Sequence, residues 1–556
     1  MRVEEARAAD AYRRGLWVHE TLADSLRDAA KTTPQRTVLV DGDIRLDCHS
    51  LHEQATALAH ALTSRMPAGS VVSFMLPNWH EAAVVYLGAT LAGMVVNPIL
   101  PSLRDRELQF ILSDADTRAI FIPSVFGNHD YSAMLERVTA AMAAPPEVVV
   151  VRDAAADGAA GGAAGGAAGG AAERSLPLEE SPDLRAVRNV RGHTPYASLL
   201  AEPGTAVLPV LNPDAVRMIL YTSGTTGRPK GVLHTHNSIH ALIRQIGEHW
   251  RVEPGDSFLV PSPIAHIGGS IYAFECPLLL GSTAVLMDRW NPDEAVSLMH
   301  EKRITHMAGA TPFLNGLLAA AERAGTRLPD LKVFICGGAS VPPSLIRRAA
   351  DYFENAAVSR VYGSTEVPVT TVGSLDGVDH AADTDGRPGI ADVKLVDGEI
   401  RARGPQMLVG YLHPDDEVAA FDDEGYFRTG DLGRWVDDHV VVTGRAKDII
   451  IRNGENISPK EVEDLLATHP GVAEIAVVGV PDERTGERAC AVIVATDQPP
   501  PDLEELRELL LREGLAKFKV PEQVVVWDSL PKNDAGKVLK HQIQATLTSE
   551  GGPKCR

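Results

Sequence analysis

Hydrophobic positions along the chain fall in short runs, separated by stretches in which apolar residues recur every three or four places. Val38-Leu39-Val40 followed by Asp41-Gly42-Asp43 predicts a strand and a turn, and an amphipathic helix is expected from about Ser50 to Leu62. Val71–Leu76 predicts a buried strand. Pro77-Asn78 then opens a helix that ends at Gly93, and Val95–Pro98 predicts the next strand. Runs of the same kind recur at Val148–Val151, Val216–Tyr221 and Val333–Ile335. Strands alternating with helices at this spacing predict an α/β fold, with layers built on mostly parallel sheets through about residue 360.

After residue 444 the pattern changes. Ser458-Pro459-Lys460-Glu461 predicts a capping box with proline at the first helical position, and Val462, Leu465 and Leu466 mark one apolar face. A strand over Val472–Val480, a helix over Asp502–Arg512 closed by Gly514, and a strand over Val524–Trp527 complete a compact α+β unit of normal domain size. The boundary is expected at Arg445–Asp448, giving a large N-terminal domain over 1–445 and a small C-terminal domain over 446–556. Residues 154–172 are largely alanine and glycine. They offer too little apolar side chain for a core, which predicts a flexible surface insertion.

Bulk properties narrow the class. At 556 residues the chain exceeds one ordinary core. With 53 Lys+Arg against 74 Asp+Glu its net charge is −21, which argues against nucleic acid or an anionic membrane as partner. The cysteines at 48, 276, 336, 490 and 555 show no paired close spacing, so neither a zinc site nor a disulfide framework is expected. The charged start Met-Arg-Val-Glu-Glu lacks the apolar core of a signal peptide. The uncharged stretch Ala82–Val96 is shorter than the ~20 residues of a membrane span. A cytoplasmic protein without a transmembrane segment is expected.

The chemistry concentrates first in residues 220–236. The strand ending at Tyr221 feeds Thr222, Ser223, Gly224, Thr225, Thr226 and Gly227, with Lys230 and Gly231 following. Glycines let backbone N–H groups converge on an anion, hydroxyls add donors and Lys230 adds charge, so the segment predicts a phosphate clamp. Its spacing is not that of the P-loop, which requires Gly-Lys-Ser/Thr four residues after the first glycine.

Tyr-Thr-Ser-Gly-Thr-Thr-Gly-x-Pro-Lys-Gly resembles the signature loop of the adenylate-forming superfamily, which includes acyl-CoA synthetases, adenylation domains of peptide synthetases and firefly luciferase. Further segments match in order. His266, Ile267 and Gly269 resemble the family's His-x-x-Gly turn at the carboxylate end of the acyl pocket. Cys336-Gly337-Gly338-Ala339 resembles the segment flanking adenine, and Tyr362-Gly363-Ser364-Thr365-Glu366 resembles Tyr-Gly-x-Thr-Glu. The resemblance implies that Tyr362 stacks on adenine, Thr365 donates to the α-phosphate and Glu366 holds Mg2+. Thr429-Gly430-Asp431 implies a carboxylate for the ribose hydroxyls. Arg445 and Lys447 match the hinge, Gly454 matches the CoA tunnel, and Lys537 matches the catalytic lysine of a mobile C-terminal lid.

The implied catalytic residues are thus Lys537, His266, Thr222 and Glu366. The implied acyl pocket is His266, Ile267, Gly269, Gly309, Ala310, Thr311, Gly338 and Val367. Gly309-Ala310-Thr311-Pro312-Phe313 is most similar to short- and medium-chain acyl-CoA synthetases and cyclohexanecarboxylate-CoA ligases. Hydroxybenzoate-activating relatives place an asparagine where Ile267 stands, so a hydrophobic acid is expected. The implied activity is acid:CoA ligation through acyl-AMP, with ATP, Mg2+ and coenzyme A. A stand-alone adenylation enzyme serving a separate carrier protein, a luciferase-like oxidase and a non-catalytic acyl-binding protein are the alternatives. The particular acid and a homodimer are left open by the sequence.

Overall fold

The structure, a computed structural model, describes residues 5–152, 192–223, 228–338, 341–452, 455–482, 485–513, 515–533 and 536–549. The Ala/Gly insertion lies outside the described residues, as do Gly224, Thr225, Thr226, Gly227, Ala339, Gly454 and Gly514. The chain divides into two compact units, one formed by residues 1–290 with 405–418, the other by 291–404 with 419–556.

The first unit is built on an eight-stranded sheet among the described residues. Its strands run in the order Gly410–Tyr411, Pro229–Thr235, Val216–Ser223, Val95–Pro98, Val71–Phe74, Thr117–Ile122, Glu147–Val150 and Thr194–Pro195. From Val216–Ser223 onward the pairings are parallel, as the alternation of strands and helices predicts. The first two pairings are antiparallel. Residues 229–235 therefore form a strand the sequence did not announce, antiparallel to Val216–Ser223, and residues 224–227 between the two lie outside the described residues. The expected helix after Asn78 runs from His80 to Leu91, and every residue from Ala82 to Leu91 is buried, which accounts for its uniformly apolar sequence. Among the described residues no helix is long and apolar enough to cross a membrane. The predicted helix near Ser50 runs longer than expected, from Cys48 to Arg65, with Asp47 capping its start.

The second unit has a parallel run, His306–Gly309, Val333–Gly337 and Ala357–Tyr362. It also has an antiparallel four-stranded sheet ordered Asp392–Val396, Glu399–Arg403, Phe427–Val436 and His439–Arg445. Residues 450–548 form a further layered substructure. Its long hairpin, Val472–Asp482 with Gly486–Ala495, is joined by Gln523–Val526 in parallel. Side chains alternate across it as a pleated strand requires. Val477, Ala491 and Ile493 pack with Val462, Leu466, Leu506 and Leu510 of two helices, while Ala476, Val478 and Val492 pack with Ile543 of the last helix.

One local expectation fails. Ser458 does precede the helix Pro459–Leu466, but its hydroxyl makes no cap hydrogen bond. It donates to the carbonyl of Thr443 instead. Capping needs the hydroxyl oxygen to accept from the N–H groups of the helix's first turn, and the side chain instead turns to the Thr443 carbonyl.

Candidate active site

In the first unit, Thr222 and Ser223 lie on the strand Val216–Ser223, directly opposite Lys230 and Pro229 on the returning strand. Gly231 is enclosed, since a Cβ there would lie 3.1 Å from Ile219 and from Leu412. The lysine is thus carried by a central sheet instead of a free loop.

His266 is the residue before the short helix Ile267–Ser270. Its N–H donates to Pro263 O, and Gly269 and Ser270 N–H groups donate back to its carbonyl. Glycine is obligatory at 269, because a Cβ would sit 2.1 Å from Pro263 O. The turn that presents His266 is pinned from below by Asn78, whose Nδ2 donates to the carbonyls of Val260 and Ser262 and whose Oδ1 accepts from Ile264 N. The imidazole Nε2 is buried with no hydrogen-bond partner, and burial lowers the ring's pKa. The neutral ring therefore offers an unused polar atom to a ligand.

The helix continues through a π-helical turn over Ile271–Glu275, of the kind frequent at functional sites. Glu275 is held there by the buried Arg217 guanidinium and by Tyr86, whose hydroxyl donates at 2.6 Å. Arg217 also donates to Tyr86 Oη at 2.8 Å. Such a pair is costly to bury and fixes position more than it stabilises.

In the second unit four of the expected residues converge. Asp431 and Arg445 are cross-strand neighbours on Phe427–Val436 and His439–Arg445. Arg445 Nε reaches Asp431 Oδ1 at 2.9 Å, and Tyr362 Oη donates to Asp431 Oδ2 at 2.8 Å. Burial and the Asp431 carboxylate hold the Tyr362 phenol well above its ordinary pKa. Gly430, at φ +68°, bends the chain ahead of Asp431, and Thr429 Oγ1 accepts from Asp431 N while donating to Ile400 O. Lys537 stands beside this group. Burial lowers its pKa to about 8, Arg445 adds to the effect, and the nearby Asp431 opposes it.

The turn carrying Lys537 is closed by Asn533, whose Oδ1 accepts from Lys537 N at 2.8 Å. Gly536 has φ +77°, and a Cβ there would lie 2.9 Å from Pro312, so the turn lies close against the start of the helix Thr311–Ala324.

The remaining residues frame this group. Gly309 pairs with Cys336 on neighbouring parallel strands, and Thr311 Oγ1 lies 4.0 Å from Cys336 Sγ. Burial pushes the Cys336 thiol up to about 12, which leaves it inert. Gly337 is packed on Val361, whereas Gly338, at φ +79°, faces open space. Ala310 and Val367 are buried. Gly363 lets the chain fold onto Val367 and Val369, and Val369 takes φ +47°, a left-handed backbone unusual for a β-branched residue. Ser364 and Thr370 close the turn by accepting from Val367 N and donating to Val367 O. Thr365 and Glu366 are thereby presented half-buried at the end of the strand Ala357–Tyr362. Lys447 is exposed in the 3-10 turn Ala446–Asp448. The strands Ile450–Arg452 and Glu455–Ile457 are paired, and Gly454 lies outside the described residues.

Among the described residues Asp41, His80 and Glu81 form the one three-residue group spaced to ligate a metal, but Arg152 already occupies it, donating to both carboxylates. Glu366 remains the carboxylate suited to Mg2+, which takes one or two protein carboxylates and completes its shell with substrate phosphates and water.

Sequence reasoning missed Asn78, Arg217 and Glu275, and also Asp114 and Asp416, which neighbour Arg228 and Lys230. Asn78 reads only as part of a helix start and Arg217 only as part of a strand, and nothing in the sequence around Glu275, Asp114 or Asp416 marks them.

Residues 26–412 match the AMP-binding enzyme family, and residues 461–537 match the AMP-binding enzyme C-terminal domain. A medium-chain fatty-acid–CoA ligase from Escherichia coli (strain K12) is 32% identical over 561 residues, covering 98% of this chain and 93% of its own. A propanoyl:CoA ligase from Rhodococcus jostii (strain RHA1), whose acyl group carries a methyl-dioxo-octahydroindene ring system, is 34% identical, covering 94% and 98%. The crystal structure of ATP-bound MatB from Rhodopseudomonas palustris superposes with a TM-score of 0.80 at 26% identity, covering 96% of this chain and 99% of that one.

Proposed function

The chain belongs to the AMP-binding enzyme family, and on that premise we propose that it converts a hydrophobic carboxylic acid, short- to medium-chain or alicyclic, to its CoA thioester through an acyl-AMP. It is an AMP-forming acid–thiol ligase using ATP, Mg2+ and CoA. The observation that carries the site assignment is the cluster of Tyr362, Asp431, Arg445 and Lys537. An adenosine needs an aromatic face and a carboxylate for its ribose hydroxyls, and here Tyr362 and Asp431 already share a hydrogen bond. Asp431 accepts from two donors at rest, so its oxygens are oriented before a ribose arrives, a preorganised acceptor.

In the first half-reaction the substrate carboxylate attacks the α-phosphorus, the bond to the bridging oxygen breaks, and pyrophosphate leaves with that electron pair. Lys537 faces the charge gathering on the α-phosphate. A pKa of about 8 leaves most of this lysine charged at neutral pH while removing it from water, where its field would be screened. Lys230 and the hairpin hydroxyls hold the phosphates to be released. Glu366 would hold Mg2+, which would further neutralise phosphate charge. In the second half-reaction the CoA sulfur attacks the acyl carbon and AMP departs. No side chain needs to act as nucleophile; the protein positions reactants and stabilises charge.

We assign residues 446–556 as the small domain and Lys447 as its pivot, moving Lys537 away between the two steps and bringing the Gly454 segment into use, a hinge closure of known type. For the acid, Ile267 beside His266 supports an apolar partner, with the unpartnered His266 Nε2 offered to its polar end.

Purified protein assayed with ATP, CoA and a panel of acids tests this reading. Fatty acids of short to medium length or single-ring alicyclic acids should give the highest kcat/KM. A preference for hydroxybenzoates or amino acids would contradict the substrate assignment, and thioester formation with none of the acids would contradict the activity.

A further inference from the structure

The hairpin that bears Lys230 leans on two carboxylates. Arg228 Nη2 donates to Asp416 Oδ2 at 2.8 Å, and its Nη1 lies 3.9 Å from Asp114 Oδ1. Lys230 Nζ stands 3.5 Å from the other oxygen of Asp416 and 5.4 Å from the centre of the Tyr411 ring. Asp114 in turn accepts from Tyr221 Oη at 2.7 Å, and His413 Nε2 lies 2.8 Å from its other oxygen. Both carboxylate side chains are only 10% exposed. Asp114 ends the helix Asp105–Asp114, where the helix dipole disfavours an acid, so its placement answers to the cation and hydroxyl around it.

The two cations at Asp416 differ. Arg228 makes a hydrogen bond of normal length. Lys230 is beyond hydrogen-bond distance, and its flexible stem can swing the ammonium elsewhere. One oxygen of Asp416 is thus fixed by Arg228, and the other is left for an exchangeable partner.

We propose that Asp416 is a positioning residue that competes with phosphate for Lys230, taking the ammonium back after adenylation and so speeding the departure of pyrophosphate. This rests on reading Lys230 as a phosphate ligand. A multiply charged anion facing a half-buried ammonium has no reason to leave quickly, and product release limits many enzymes. A resident carboxylate that re-forms its own ion pair lowers the free energy of the released state. ATP binding must break that pair, so the same device weakens ATP binding while it aids turnover.

Asp416→Asn removes the charge and keeps an oxygen for Arg228. In the full-length protein it should lower both KM for ATP and the inhibition constant of inorganic pyrophosphate by about three- to fivefold, the size of one partly exposed ion pair, while kcat falls. Asp416→Ser, a second neutral variant, should shift both constants in the same direction, and serves if the asparagine variant does not fold. Asp416→Glu should keep the wild-type constants to within about twofold, because it keeps the charge.

In a Lys230→Ala background the asparagine substitution should no longer change pyrophosphate inhibition, since the exchanged cation is gone. A merely structural Asp416 predicts the opposite split, with KM for ATP raised and pyrophosphate inhibition weakened. That result, or unchanged constants in both neutral variants, would overturn the proposal. Wild-type protein that binds neither ATP nor pyrophosphate would instead overturn the ligase reading, and this role with it.

Discussion

We assign both Lys230 and Lys537 to phosphate, and the chain carries them in opposite ways. Lys230 sits on a strand of the eight-stranded sheet, opposite Thr222, with Asp416 as a neighbouring carboxylate. Lys537 sits on a turn of the C-terminal substructure, closed by Asn533 and close to Pro312 at one glycine. The first lysine is fixed by hydrogen-bonded backbone on both sides. The second is placed by a short, separable contact, a few residues from nothing more binding than its own turn. A strand suits a group needed throughout a reaction; a turn on a hinged element suits one that must arrive and leave. On this ground we assign Lys537 to one half-reaction.

The sharpest way to break that contrast is to delete the transient cation. Lys537→Ala should slow adenylation by about 10²–10³, the usual loss for one preorganised charge-stabilising group, while thioester formation from synthetic acyl-AMP and CoA stays near wild type. Equal damage to both steps, measured separately as pyrophosphate release and thioester formation, would mean that Lys537 stays in place throughout.

Stiffening the pivot should produce the reverse pattern. Lys447 lies in the 3-10 turn between Arg445 and Ile450. Lys447→Pro fixes φ there and should reduce thioester formation by roughly ten- to a hundredfold, the scale of a misplaced reacting group, with adenylation largely kept. The same two assays decide it, and a variant that loses adenylation first would place the pivot elsewhere.

A smaller effect is expected at Ser458, whose hydroxyl donates to the Thr443 carbonyl across residues 444–457, where we assign the pivot. Removing one hydrogen bond with Ser458→Ala should shift the ratio of thioester formation to adenylation by about fivefold toward the thioester step. An unchanged ratio would mean that this contact does not resist rotation. At the acyl end each added CH₂ of substrate should raise kcat/KM by roughly fourfold until the pocket is full, from about 0.8 kcal/mol of burial. A flat series from four to ten carbons would contradict an apolar, size-limited pocket.

How much of this was legible differs between the two lysines. Lys537, Asp431, Tyr362 and Glu366 stand in short local patterns, and the fold brings the first three together. The parallel sheet was legible from alternating strands and helices. The hairpin return over Pro229–Thr235 was not, because its apolar run is only Val232-Leu233 and cross-strand pairing leaves no mark of its own in the sequence. Asp416 and Asp114 were equally invisible: ordinary acidic residues, they matter only because the sheet brings distant segments beside Arg228. Ser458 misled for a physical reason, since a capping sequence states what a hydroxyl can do, and this side chain turns to the Thr443 carbonyl instead of the helix's first-turn N–H groups.

The claim that Lys537 serves only the first half-reaction is tested most directly on the unaltered protein, by following the two half-reactions separately from pH 6.5 to 9.5. Burial, with Arg445 adding to it, brings this lysine down to about 8 from its ordinary 10.5. The charged form is the active one, so adenylation should be at its full rate below that value and fall as pH rises through it. Thioester formation from supplied acyl-AMP should show no loss centred near 8. A shared fall in both steps, or an adenylation rate that climbs through this range, would contradict the account.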